Sequence, residues 1–122
     1  MKKAILLVED DPFLIDIYTT KLEKEGFSVK IADDGEKALD LLEKKKPNLL
    51  ILDIVLPKID GWEILKRIQE KKELRDLPVI VLSNLGQKTE VEKGLKSGAI
   101  KYLIKAHFTP AEVVTEIKKI LK

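Results

Sequence analysis

The 122-residue chain reads as one α/β domain, a doubly wound sheet of five parallel strands in the order 2-1-3-4-5 with helices on both faces. Three observations predict this. Short apolar runs recur five times: "AILLV" (4–8), "SVKIA" (28–32), "NLLILD" (48–53), "PVIVLS" (78–83) and "IKYLIK" (100–105). Three of them are continuously apolar rather than alternating, the pattern of strands covered on both faces. A stretch with helical spacing follows each run, so strand and helix alternate five times, which implies right-handed crossovers.

The helices carry their own punctuation. Asp11 and Pro12 read as N-cap and first helical residue, with Leu14, Ile17, Tyr18 and Leu22 on one face until Gly26 stops the helix. Asp33 or Asp34 caps the second, whose inward residues are Ala38, Leu39, Leu41 and Leu42 before the lysine run and Pro47 end it. Asp60 opens the third, carrying Trp62, Ile64, Leu65 and Ile68. The fourth spans Lys88 to Ser97 with Gly98 as its stop, and the fifth opens on the capping box of Thr109, Pro110 and Glu112.

Composition narrows the function classes. Hydrophobic residues are 44% and charged residues 36%, and no apolar run is long enough to span a bilayer, so the expectation is a soluble, cytoplasmic domain without a signal peptide or membrane partner. The absence of cysteine removes disulfides, thiolate zinc sites and cysteine nucleophiles. A net charge of +2, with no basic patch interleaved with aromatics, argues against direct nucleic-acid binding. The lysines at 44–46 read as a solvated helix end, His107 as a surface residue and Trp62 as packing near the site.

In a sheet of this order ligands bind outside the carboxyl ends of the strands, at the switch point between strands 1 and 3. Those ends supply Glu9 and Asp10, Asp53, Ser83 and Lys105. Asp11 is accounted for as a cap, whereas Glu9, Asp10 and Asp53 need a positive charge among them, since each like-charge pair costs on the order of a kcal/mol or more. Magnesium answers that need, because it takes oxygen ligands and completes its shell with water and phosphate oxygens. With Lys105 as a compact cation and Ser83 as a hydroxyl donor, the set fits transfer of a phosphoryl group to a carboxylate.

The ordered motifs "LLVEDDP", "LLILDIVLPKIDGWEIL", "PVIVLS", "GA" at 98–99 and "YLIK" resemble those of a response-regulator receiver domain of two-component signalling, a CheY-like, flavodoxin-like fold. The resemblance covers essentially all of residues 1–122. It implies that Asp53 accepts phosphate from the phosphohistidine of a sensor histidine kinase or phosphotransfer protein, or from a small acyl phosphate. It further implies magnesium held by Asp10, Asp53 and the main-chain carbonyl of Val55, with Glu9 assisting. Ser83 and Tyr102 match the switch pair. The altered surface would be the fourth helix, fifth strand and fifth helix, where a downstream protein, or a second copy in a homodimer, would dock.

The chain departs from that pattern in three ways. Ala106 follows Lys105 where proline is usual, so the loop either holds a costly cis bond or takes another path. The placement of Lys105 in the site depends on which path the loop takes. Asn84 stands where a smaller residue often follows the hydroxyl. Val55 and Leu85 are apolar where side chains can steer attacking water, which predicts a long-lived phosphorylated form. Among alternatives, an aspartyl-nucleophile phosphohydrolase lacks its acid at Val55, and a phosphate-cradling binding module lacks a Gly- or Ser-rich first loop. A phosphorylation-independent adaptor would not need the complete acid, hydroxyl and lysine set.

Overall fold

The computed structural model describes residues 2–121. Five strands alternate with five helices: β1 (Ala4–Val8), α1 (Pro12–Lys24), β2 (Ser28–Ala32), α2 (Gly35–Lys44), β3 (Leu49–Leu52), α3 (Gly61–Glu70), β4 (Val79–Ser83), α4 (Lys88–Lys96), β5 (Lys101–Ile104) and α5 (Pro110–Ile120). All pairings are parallel and the sheet order is β2-β1-β3-β4-β5, as the sequence predicts. Short 3-10 turns at Lys72–Leu74 and Lys105–His107 were not anticipated.

The two-residue period of a strand divides the core. Leu6, Val8, Leu50, Leu52, Val79 and Val81 face one way, against Ala38 and Leu42 of α2 and Ile64, Leu65 and Ile68 of α3. Their neighbours Ile5, Leu7, Leu49, Ile51, Ile80 and Leu82 face the other way, against Tyr18 and Leu22 of α1 and Val113, Val114 and Ile117 of α5. Burial on both faces is why β1, β3 and β4 are written as unbroken apolar runs. β2 alternates because it is an edge strand, with Ser28, Lys30 and Ile31 exposed.

The caps fall as expected. Asp11 Oδ1 accepts from Phe13 N at 2.9 Å, Asp34 Oδ1 from Lys37 N at 2.8 Å and Asp60 Oδ1 from Glu63 N at 3.0 Å. Of the two candidates for α2, Asp34 is therefore the cap, while Asp33 pairs with the Lys37 ammonium at 2.8 Å. Thr109 and Glu112 form the reciprocal box. Gly26 and Gly98 follow α1 and α4 with φ of 93° and 109°, the left-handed conformation that ends a helix.

Candidate functional site

Main-chain hydrogen bonds carry the parallel ladder one step past the strands, and this fixes where the acids stand. Glu9 N donates to Ala32 O at 3.0 Å, and Asp53 N donates to Val8 O at 3.0 Å. Glu9 and Asp53 are thereby held side by side at the carboxyl edge, only 2% and 5% exposed, while Asp10 opens to solvent. One carboxylate oxygen from each of the three lies within 4.8 Å of the others. Such a donor set, all hard oxygen with one member reaching water, fits a magnesium-type cation that keeps part of its hydration shell.

Lys105 is the cation that the structure places among these acids. Its Nζ lies 2.7 Å from Asp53 Oδ2 and 2.7 Å from Glu9 Oε1. The second oxygen of each carboxylate is held by main chain. Asp53 Oδ1 accepts from Ile54 N at 2.7 Å and from Val55 N at 3.4 Å, and Glu9 Oε2 accepts from Asp11 N at 3.1 Å. The Lys105 ammonium thus bridges two buried carboxylates. Of the two paths open to the Lys105–Ala106 loop, the chain takes the one without a cis bond, and no described peptide bond is cis. A 3-10 turn over Lys105–His107 turns the backbone instead.

Burial sets the ionisation of the pair. Loss of water pushes the Glu9 carboxyl above the usual range, although its bonds to Lys105 and to Asp11 N oppose the shift. For Lys105, burial alone would lower the pKa, but the bonds to Asp53 and Glu9 outweigh it and the ammonium is held above its ordinary value. The bridge is therefore fully charged on its lysine side at neutral pH.

Ser83 ends β4 with no exposed surface, and its Oγ accepts from Leu85 N at 3.3 Å. The Tyr102 hydroxyl of β5 donates to Leu85 O at 2.6 Å. One residue thus joins the two proposed switch side chains through its main chain. Burial, then the nearby Glu90 charge, pushes the Tyr102 phenol up. No described hydrogen bond links Ser83 to the acids.

The remaining residues sort simply. The Val55 side chain is 61% exposed, Asn84 is exposed and Leu85 is half-buried against the core. His107 is exposed and Trp62 packs partly into the core, as expected. Two contacts were not foreseen. The Lys93 ammonium sits 4.3 Å from the centroid of the Trp62 ring, and the Tyr102 ring lies against Gly94 of α4. A glycine at an inward position in the middle of a helix was the available signal for the second. Of the lysine run, Lys46 is ion-paired with Asp76 rather than merely solvated.

Comparison with known proteins agrees with this geometry. The family described as the response regulator receiver domain matches residues 5–118. The alkaline phosphatase synthesis transcriptional regulatory protein PhoP of Bacillus subtilis is 37% identical over 122 residues, which is 100% of this chain and 50% of that protein. The chain spans about half the length of the curated relatives it matches. Among solved structures, the receiver domain of the Francisella response regulator 1452 superposes with a TM-score of 0.88 at 31% identity, covering 98% of this chain and 96% of that one. A receiver domain described as BeF3-activated DrrB superposes with a TM-score of 0.86 at 30% identity, covering 99% and 98%. With motif order, sheet order and family match in agreement over nearly the same residues, this chain belongs to the response regulator receiver domain family of two-component signalling.

Proposed function

We propose that the Asp53 carboxylate is the phosphoryl acceptor of this receiver, and that residues 1–122 act as one receiver unit. The donor is the phosphohistidine of a sensor histidine kinase or phosphotransfer protein, or a small acyl phosphate. The observation that carries the reading is the convergence of Glu9, Asp10 and Asp53 oxygens within 4.8 Å of one another, with the Lys105 ammonium on two of them. Glu9, Asp10, Asp53 and the main-chain carbonyl of Val55 would hold the magnesium ion. When bound, that ion neutralises charge on the phosphoryl oxygens and on the acids.

The protein's own groups do the rest by position. An Asp53 oxygen attacks phosphorus, the phosphorus–nitrogen bond breaks, and the imidazole leaves with its electron pair and takes up a proton. The product is an acyl phosphate on Asp53. Main-chain N–H groups of Ile54 and Val55 fix one Asp53 oxygen, so the carboxylate is oriented before the donor arrives. Lys105 already touches the other and would pass to a phosphoryl oxygen, and the Ser83 hydroxyl would donate to a second. That pull on Ser83 reaches Tyr102 through Leu85 and from there the face formed by α4, β5 and α5, where a downstream protein or a second copy would bind.

Turnover of external substrates is not part of this reading, since Val55 offers no acid or base two residues after Asp53. Transcriptional output, of the kind named for the relatives, would be carried by sequence outside the shared receiver. Intact-mass measurement after acetyl phosphate and magnesium tests the proposal. One added phosphoryl group on the wild-type chain, absent from Asp53→Ala and from wild type in chelator, is expected. Equal gain in the Asp53→Ala chain would overturn it.

A further inference from the structure

α4 is held to the sheet by little. Across Lys88–Lys96 the one buried residue is Gly94, while Leu95 is 46% exposed and Val91 half-buried. Glycine is a poor helix former, because it gives up more backbone freedom on folding than any other residue. Its presence at the one inward position of α4 needs a packing reason, and the Tyr102 ring supplies it. A β-carbon built on Gly94 would lie 2.6 Å from Tyr102 Cδ2 and 2.8 Å from Cε2, closer than carbon atoms pack. The ring occupies the space that any other residue at 94 would fill.

The other end of the ring is tied down as well. Its hydroxyl donates to Leu85 O at 2.6 Å, and Leu85 N donates to Ser83 Oγ at 3.3 Å. A continuous set of contacts therefore runs from the carboxyl edge, through Ser83, Leu85 and Tyr102, to the backbone of α4. We propose that Gly94 is a positioning residue of the switch: its bare backbone creates the inward seat of the Tyr102 ring, so that seating the ring and docking α4 are one event. This rests on the reading of Ser83 and Tyr102 given under the proposed function, and adds the residue that decides whether the seat exists. The internal hydrogen bonds of α4 fix its backbone shape whereas the tyrosine side chain turns about its own torsions, so a methyl group at 94 is relieved by the ring swinging outward. The Leu85 bond is then lost, and α4 no longer senses the edge of the sheet.

The test is Gly94→Ala, which improves the intrinsic helix propensity of α4 and so does not act by weakening the helix. NMR spectra of wild type and variant would be recorded at rest and after acetyl phosphate with magnesium, with intact mass read on the same samples. In resting wild type, cross-relaxation between the Tyr102 ring protons and the Gly94 α-protons is expected; in Gly94→Ala the corresponding ring contact is lost and the Leu85 amide shifts. Phosphoryl uptake reaches one group per chain in both, but the amide shifts along 89–97 that follow uptake in wild type are lost in the variant. A Gly94→Ala, Tyr102→Ala double variant separates ring displacement from general damage. Alanine at 94 should lower the denaturation midpoint when Tyr102 is present and leave it unchanged or higher when the ring is gone. Retention of the ring contact and the α4 response in Gly94→Ala would overturn the proposal, as would equal destabilisation in both backgrounds. Failure of wild type to take up phosphoryl refutes the proposed function instead, while the resting spectra and the double-variant comparison still decide the role of Gly94.

Discussion

Replacing Lys105 by methionine removes the ammonium while keeping much of the side chain's length and apolar stem. In the wild type its Nζ is 2.7 Å from Asp53 Oδ2 and 2.7 Å from Glu9 Oε1. At an effective dielectric of about 20 the gross attraction is ~6 kcal/mol per contact. Desolvation of the charges offsets most of it, and removing one partner of a buried pair costs about 3–5 kcal/mol net. The Lys105 side chain keeps 14% exposure, so water reaches the site and the lower end of that range applies, about 3 kcal/mol. For a chain of this size that corresponds to a fall in Tm of about 12 °C. The assay is thermal unfolding followed by circular dichroism, in chelator and in millimolar magnesium, for wild type, Lys105→Met and Lys105→Arg. Arginine, which keeps the charge, should lose less than methionine. Magnesium should raise the midpoint of the methionine variant more than that of wild type, because it restores positive charge beside Glu9 and Asp53. A methionine variant as stable as wild type in chelator would refute the electrostatic argument, and an equal magnesium shift in both would refute the shared location.

Four further outcomes are expected. Asp11→Ala removes the cap on Phe13 N and should cost about 1 kcal/mol in urea unfolding, with no change in phosphoryl uptake. Val55→Asn should shorten the lifetime of the phosphorylated form about tenfold, the effect of one well-placed hydrogen bond to attacking water, and an unchanged decay rate would count against it. Burial holds the Tyr102 phenol above its ordinary value of 10.0, so the fold favours the protonated form. Its stabilising contribution is complete below pH 10 and is lost as the pH rises through the shifted value. Ultraviolet titration of Tyr18→Phe, which leaves Tyr102 as the one tyrosine, checks this by the position of the midpoint. Lys58 adopts φ of 68°, a left-handed conformation that asparagine tolerates better, and its exposed ammonium makes only a weak contact with Asp34 Oδ2 at 3.7 Å, so Lys58→Asn should raise stability by about 0.5 kcal/mol in the same urea assay.

Much of this protein was legible in its sequence because the signals were local. Each cap needs one side chain and a main-chain N–H two or three residues on, so Asp11, Asp34, Asp60 and Thr109 could be placed, apart from the choice between Asp33 and Asp34. Burial on both faces writes an unbroken apolar run, so the strands could be found to within a residue or so at each end. The carboxyl edge followed from topology, and with it Glu9, Asp10, Asp53 and Ser83. What was not legible depends on how distant side chains meet. The Lys105 bridge is made from the first residue of the 3-10 turn at Lys105–His107, and a Lys–Ala sequence does not specify that turn. The Trp62–Lys93 contact joins α3 to α4, and neither residue's neighbours announce it. Gly94 carries no signal of this kind, because a residue without a side chain adds nothing to an apolar stripe, although its lack of one is what the Tyr102 ring requires.

The opposition between main chain and side chain at the carboxyl edge explains why the site attracts positive charge. Glu9 and Asp53 cannot relieve their repulsion by moving apart, since each amide is committed to the strand beside it, Glu9 N to Ala32 O and Asp53 N to Val8 O. Nor does Asp53 turn away freely, because Ile54 N and Val55 N hold one of its oxygens. Charge must come to the acids. Lys105 brings it on a long side chain from the turn just after β5, binding one oxygen of each buried carboxylate, while exposed Asp10 extends the same oxygen cluster toward solvent. Under the proposed function Lys105 would turn from Asp53 to an oxygen of the incoming phosphoryl group. Backbone commitment beneath the acids makes the site demand positive charge, and in the proposed reaction the long Lys105 side chain would pass that charge on to the phosphoryl group.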